Sequence, residues 1–326
     1  MAFTLPPYGI GAAGLGNLYR PIPDADVTAT LAAARDSGFT YLDTAPFYGH
    51  GLSELRLGTF MRETGWRPQL STKVGRVLTP VGNRPMPDNG FANPAPFIPS
   101  FDYSAKGIET SFAGSQDRLG VEAVETLLLH DVGQLTHGDA HGAMLAQALD
   151  EALPAMDALK AAGKTKAVGL GVNEIPVCEE ILSHRPLDCI LLAGRYTLLE
   201  HDTSLPFLND CHKAGTRIIV GGAFNSGLLA TPDIKAAKYD YGDAPDWAVA
   251  HAIALRKVCA AHDVSLQAAA LQFCAAHPAV ASVIPGVQHV SHVTDARVWI
   301  DETIPAALWT DLKERGLINK DAPTPS

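Results

Sequence analysis

Short apolar runs alternate with longer, Ala-rich amphipathic stretches along nearly the whole chain, and no other feature limits its fold so tightly. The runs are YGIGAAGLG (8–16), TYLDTA (40–45), QLSTKV (69–74), VETLLLH (124–130), KAVGLGV (166–172), CILLAG (189–194), RIIVGGA (217–223) and SVIPGV (282–287). Most are continuously apolar, the pattern of strands covered on both faces. Between them, helices are predicted over 26–37, 53–62, 104–119, 145–162, 177–184 and 205–214. Ser53 with Glu54 reads as a helix start, and Gly38, Gly163 and Gly215 stand just past three helix ends. Eight strands in strict alternation with helices predict an α/β fold, a (β/α)8 TIM barrel with its active site at the C-terminal mouth. An open, doubly wound sheet with a small second domain is the competing architecture. The 326 residues suit one barrel domain spanning 1–326.

Two stretches break the even spacing. Residues 79–101 are rich in Pro, Gly and Asn and read as a long loop after the third strand; 228–246 reads likewise after the seventh, before paired helices near 247–262 and 265–277. Both belong at the barrel mouth, where loops cover substrate. The tail INKDAPTPS is expected to fray.

Composition narrows the function. Asp and Glu outnumber Lys and Arg by 35 to 25, a formal charge of -10, so a nucleic-acid partner is not expected. No apolar stretch is long enough to span a bilayer, and MAFTLPPYGIG has neither the basic flank nor the apolar run of a secretory leader. Cys178, Cys189, Cys211, Cys259 and Cys274 are odd in number and contain no C-x-x-C pair. They read as reduced thiols, and a cytoplasmic location is expected. Gly9, Gly11 and Gly14 spell G-x-G-x-x-G, but the following NLYRPIP cannot open a helix at once. The glycines are expected instead to allow close backbone approach.

Polar residues at strand ends carry the chemistry. Asp43 closes TYLD, Lys73 closes QLSTK, His130 closes VETLLLH, and Tyr48 follows Asp43 in DTAPFYG. Singly, each has a structural explanation as a cap, rim aromatic, solvated strand end or core histidine. In a parallel barrel all four share one mouth. A phenol titrates near ~10, too high for a base at neutral pH, but a neighbouring ammonium favours the phenolate and a carboxylate holds that ammonium in place. A histidine beside the phenol can orient the substrate oxygen, leaving the substrate carbon to give hydride to a nicotinamide without a metal.

These residues also resemble a known family. YLDTAPFYGHGLSE, STKVG and LLLHD resemble the catalytic segments of the aldo-keto reductases, and the likeness runs from GLGNLYR to SVIPGV. The resemblance implies that Asp43, Tyr48, Lys73 and His130 form the catalytic tetrad. It further implies cofactor contacts from Asp43, from Asn173 after the fifth strand, from Phe224, Asn225, Ser226, Gly227 and Leu228 after the seventh, and from Pro285, Gly286, Gln288 and His292 after the eighth. The chain departs from the family at Asn173-Glu174, Ala193 and Gly221, where a Ser-Asn pair, a Gln and a stacking Tyr are common. No Lys or Arg appears in the last loop before Arg297, so NAD is expected over NADP, unless another loop supplies a cation.

AGLGNLYRPI, LLAGRYTLLEH and GGAFNSGLL are similar to members that oxidise cyclic hemiacetals, the aldose 1-dehydrogenases acting on sugars such as L-fucose and the pyridoxal 4-dehydrogenases. The expected partner is therefore a small sugar, with pyridoxal or a general aldehyde as the alternative. Two other classes compete. His130, Asp131, His137, Asp139 and His141 suggest a zinc hydrolase, but three of them lie in the glycine-containing loop GQLTHGDAHGA and no H-x-H closes the first strand, so no metal is expected. A non-catalytic barrel would have no use for Lys73 beside Tyr48.

Overall fold

The computed structural model describes residues 3–234, 238–240 and 242–325. Eight parallel strands form one sheet in chain order: β1 (Ile10–Gly11), β2 (Tyr41–Asp43), β3 (Gln69–Val74), β4 (Val124–His130), β5 (Thr165–Val172), β6 (Cys189–Ala193), β7 (Arg217–Gly221) and β8 (Val280–Ile284). The two ends of the sheet meet. Tyr8 bridges Val283 and Gly11 bridges Gly286, and the Gly9 and Gly11 amides donate to the carbonyls of Val283 (3.0 Å) and Pro285 (2.9 Å). This closure makes a (β/α)8 barrel and removes the open-sheet alternative.

Alternation within each strand explains why the sequence reads as apolar throughout. Leu128, Leu191 and Ile219 cluster with Tyr41, Ala167 and Ile284 inside the barrel. Their neighbours Leu127, Leu129, Ile190, Leu192, Ile218 and Val220 belong to the larger core beneath the helices. Gly9 and Gly14 serve close packing: a Cβ on Gly9 would lie 2.5 Å from the Tyr41 ring, and one on Gly14 2.4 Å from the Val287 carbonyl.

Several elements differ from expectation. Only Ile10–Gly11 of the 8–16 run is extended, because Ala13–Gly16 forms a 3-10 turn. The last strand starts at Val280 and stops at Ile284, since Pro285 has no amide to continue the ladder. The 145–162 helix breaks into His141–Gln147, a π-turn at Ala148–Ala152 and Leu153–Ala161. Pro154 lacks the amide for a regular i→i−4 bond, and the wider turn accommodates it. Ser53 and Glu54 cap nothing. The helix Leu52–Thr64 starts after Gly51, Ser53 Oγ donates to the Ala12 carbonyl (2.8 Å), and Glu54 pairs with Arg118 (2.7 Å). The tail is held rather than frayed: the Asn319 amide donates to His201 Nε2 (3.0 Å), and Ile318 and Ala322 are buried.

Both mouth stretches have structure. Residues 79–101 belong to a hairpin in which Arg76–Pro80 runs antiparallel to Phe97–Phe101. Its prolines are tolerated because a two-stranded ribbon leaves outer edges that need no donor. The hairpin's connecting segment docks on the loop after β1, where Leu18 bridges Phe91 and the Tyr19 amide donates to Gly90 (2.8 Å). Within 228–246, residues 235–237 and 241 lie outside the described set, and Lys238–Tyr239 pairs antiparallel with Gly242–Asp243. Among the described residues no helix is long and apolar enough to cross a membrane. All five cysteines are free and buried.

Candidate active site

Strand register brings the four sequence-predicted side chains together. Asp43 lies opposite Ser71, Lys73 opposite Leu128, and His130 opposite Gly171. The period of two then places Asp43, Ser71, Lys73 and His130 on the interior face at the C-terminal strand ends. Gly171 makes the space: a Cβ there would lie 3.1 Å from Lys73 Cε. Tyr48 arrives on the turn after β2.

Lys73 Nζ donates to Asp43 Oδ2 (2.7 Å), to the Thr44 carbonyl (3.0 Å) and to Tyr48 Oη (3.0 Å). Ser71 Oγ donates to Asp43 Oδ1 (2.6 Å) and is itself paired with the Tyr41 hydroxyl (2.8 Å). Both carboxylate oxygens are thereby satisfied, as a buried charge requires. Burial raises the Asp43 carboxyl, with Lys73 and Ser71 pulling against it. Burial alone would depress the Lys73 ammonium, but Asp43 and Tyr48 outweigh it and hold Lys73 above its ordinary value. Lys73 therefore stays charged against the phenol oxygen. The His130 ring meets the Tyr48 ring edge-on at 6.0 Å. Burial pushes this imidazole down to about 3, with Asp131 pulling up and Arg76 and Lys73 pushing down, so it is neutral at physiological pH.

A cleft of about 390 Å³ opens above Asp43 and Tyr48, between the loops that follow β1, β6, β7 and β8. Phe224, Asn225, Ser226 and Gly227 line one wall, and Pro285, Gly286, Gln288 and His292 the other. Two expected contacts lie elsewhere: Leu228 is buried in the core, and Asn173 is outside the lining, its carbonyl accepting from Arg195 Nε (2.6 Å). Lys73 and His130 are not lining residues either; they adjoin the cleft through Tyr48.

Ser71, Arg20, Arg195, Tyr239 and Trp299 also stand at or beside the site, and the strand-end pattern does not single them out. Ser71 was legible as the same-face neighbour of Lys73 in QLSTK, and Arg195 as the cation closing CILLAGR. Arg195 bonds Asp240 (3.0 Å), and Tyr239 donates to Glu200, tying residues after β7 to the loop after β6. Arg20, from the loop after β1, donates to His289 beside the β8 loop, whereas Arg297 is engaged by Asp301 (2.7 Å). A cation from another loop thus does reach this region. Among the described residues no group of three or more His, Cys, Asp or Glu side chains is arranged to hold a metal ion.

The model of the Aldo/keto reductase family matches residues 7–314. The chain belongs to the aldo-keto reductases. It is an oxidoreductase of a family that uses nicotinamide cofactors. It is 40% identical to a pyridoxal 4-dehydrogenase of Microbacterium luteolum, over 97% of this chain and 95% of that protein. It is 39% identical to a D-threo-aldose 1-dehydrogenase of a Pseudomonas species, over 99% and 96%. An aldo-keto reductase structure from Bacillus halodurans in its holo form superposes with a TM-score of 0.73, at 23% identity over 97% of this chain and 92% of that one, a likeness of fold.

The cleft fits a nicotinamide dinucleotide. It is mostly apolar, with Phe224 and Trp299 edge-to-face (5.7 Å) in its wall. Asn225 Oδ1 is buried and has no hydrogen-bond partner among the described residues, which leaves it available to an amide or hydroxyl donor. Gly221 and Gly222 line the cleft without a side chain, leaving room for a flat ring.

Proposed function

We propose that this aldo-keto reductase oxidises a cyclic hemiacetal at its anomeric carbon to a lactone, an aldose such as L-fucose being the favoured substrate. The observation that carries the reading is the Tyr48 hydroxyl, 3.0 Å from the Lys73 ammonium at the inner end of the cleft. Asp43 and Lys73 belong to the catalytic group with Tyr48 and His130. Phe224, Asn225, Ser226, Gly227, Pro285, Gly286, Gln288 and His292 are assigned to the cofactor, and the whole chain to one barrel domain. The bound oxidised nicotinamide supplies the hydride acceptor. Lys73 stabilises the Tyr48 phenolate, which takes the hemiacetal proton as the anomeric carbon loses hydride and its carbonyl bond forms. Neutral His130 donates from a ring nitrogen to the reacting oxygen and fixes its orientation. The ring stays closed, so the product is a lactone. Five buried thiols without a disulfide support a reducing compartment such as the cytoplasm.

A panel of free sugars, pyridoxal and simple aldehydes, followed by absorbance of the reduced nicotinamide, tests the substrate. Oxidation of an aldopyranose, with the lactone seen by mass before it hydrolyses, is the expected result. Pyridoxal 4-dehydrogenation is the second reading, favoured by the 40%-identical relative of that name. Failure of every hemiacetal alongside rapid reduction of open aldehydes would make the protein a general carbonyl reductase. Tyr48→Phe is expected to lower kcat by at least ~10²-fold while cofactor binding hardly changes. Retention of most turnover would remove Tyr48 from its role.

A further inference from the structure

Directly after His130, Asp131 occupies a position that the tetrad does not explain. Its backbone is left-handed (φ 51°), and its amide donates to the Gly171 carbonyl (3.0 Å). That geometry accounts for an Asp or Asn. It does not account for the charge. Arg76 donates to Asp131 Oδ2 at 2.5 Å, and its guanidinium is stacked between the rings of Phe47 (3.9 Å) and Phe101 (4.1 Å). Phe47 adjoins Tyr48 in the chain, and Arg76 follows the strand of Lys73, so this clamp is built from the same segments as the tetrad. Burial works to raise the Asp131 carboxyl, but His130 and Arg76 hold it below its ordinary value. Because His130 itself is neutral, Arg76 is the lasting charge partner.

The clamp leaves part of the carboxylate unused. Oδ2 serves Arg76, while Oδ1 accepts no hydrogen bond among the described residues, and the side chain is 20% exposed. Among the described residues the sealed His130 Nδ1 has no hydrogen-bond partner, so Nε2 is the ring nitrogen available to a substrate. Asp131 Oδ2 lies 3.5 Å from that Nε2. Asp131, like His130, adjoins the cleft without lining it, and at that distance it is within reach of a substituent on the carbon adjoining an oxygen that Tyr48 and His130 Nε2 would hold.

We propose that Asp131, held by Arg76, accepts a hydrogen bond from a hydroxyl neighbouring the reacting carbon and so selects substrates that carry one. The inference rests on the hemiacetal reading. It names the substrate class more closely: the 2-hydroxyl of an aldose, or the ring hydroxyl beside the reacting arm of pyridoxal. A hydrogen bond to a charged acceptor supports a discrimination of about 10- to 100-fold.

The test compares kcat/KM for an aldose with that for its 2-deoxy analogue, and for pyridoxal with its 3-deoxy analogue. For whichever parent the wild type oxidises, the deoxy compound should be poorer by about 10- to 100-fold. Asp131→Asn keeps the size and the left-handed turn, and should bring that ratio to within a few-fold of unity, mainly through a higher KM for the parent. Equal wild-type kcat/KM for parent and analogue overturns the proposal and needs no variant. A variant that loses activity equally on both overturns it too, leaving Asp131 as a positioning residue for His130. If neither parent is oxidised, the hemiacetal reading falls and this proposal falls with it.

Discussion

His130 shows how a single residue couples the active site to stability. Burial lowers its imidazole to about 3, against 6.5 for an exposed histidine, so the folded protein takes up this proton far less readily than the unfolded chain. Between those two values the unfolded state binds more protons, and stability must rise with pH. The contribution is complete above about 6.5 and is lost as pH falls toward about 3. Urea midpoints measured between neutral pH and pH ~4.5 should fall more steeply for the wild type than for His130→Phe, which has no proton to bind. Parallel slopes would show that His130 is not held neutral by the fold. His277, lowered to about 4 by burial and the charge of His212, adds to the same slope in both proteins.

Between elements, the buried Glu54–Arg118 pair joins helices Leu52–Thr64 and Ala105–Leu119 behind the tetrad strands. Glu54 is fully buried and accepts from Arg118 Nε (2.7 Å) and from Thr72 Oγ1 (2.6 Å), Thr72 being next to Lys73. Removing the guanidinium leaves a buried carboxylate with one hydroxyl for company. Arg118→Met should therefore destabilise by about 3 kcal/mol, read from the urea midpoint. The Tyr48-dependent reaction should persist in the folded fraction, because Lys73 keeps Asp43. In the sequence Glu54 resembled a helix-start residue; pairing over a separation of 64 positions is invisible to local pattern. The mouth hairpin was missed for a related reason, since prolines mark a loop locally while the register of Arg76–Pro80 with Phe97–Phe101 is a nonlocal property.

For the molecule as a whole, cofactor choice is the property most exposed to long-range placement. The β8 loop carries no Lys or Arg before Arg297, and Asp301 occupies Arg297. Arg20, on the opposite side of the barrel closure, is then a cation that contacts His289 and acts electrostatically on His292. One exposed guanidinium leaning on an imidazole is a weak partner for a 2′-phosphate, and burial, with His289 and Arg20 nearby, lowers His292 further from charge. NAD should give a kcat/KM several-fold above that of NADP near pH ~7.5. Arg20→Met should widen that gap by weakening NADP alone. Preference for NADP that survives Arg20→Met would show a cation from elsewhere.

What the amino-acid sequence determined by itself was local and periodic. Unbroken apolar runs in alternation with helices required a parallel sheet covered on both faces, and the shared polarity of parallel strands put the strand ends at Asp43, Lys73 and His130, with Tyr48 five residues after Asp43, at one mouth. The aldo-keto reductase segments around them were legible for the same reason, being contiguous. Tertiary structure decided whatever depends on register and reach. It closed β1 on β8, set Ser71 against Asp43, gave Glu54 to Arg118 and brought Arg20 to His289. It also moved Leu228 into the core and kept Asn173 out of the cleft lining. Those outcomes turn on distances between residues far apart in the chain, and composition and spacing carry no distances.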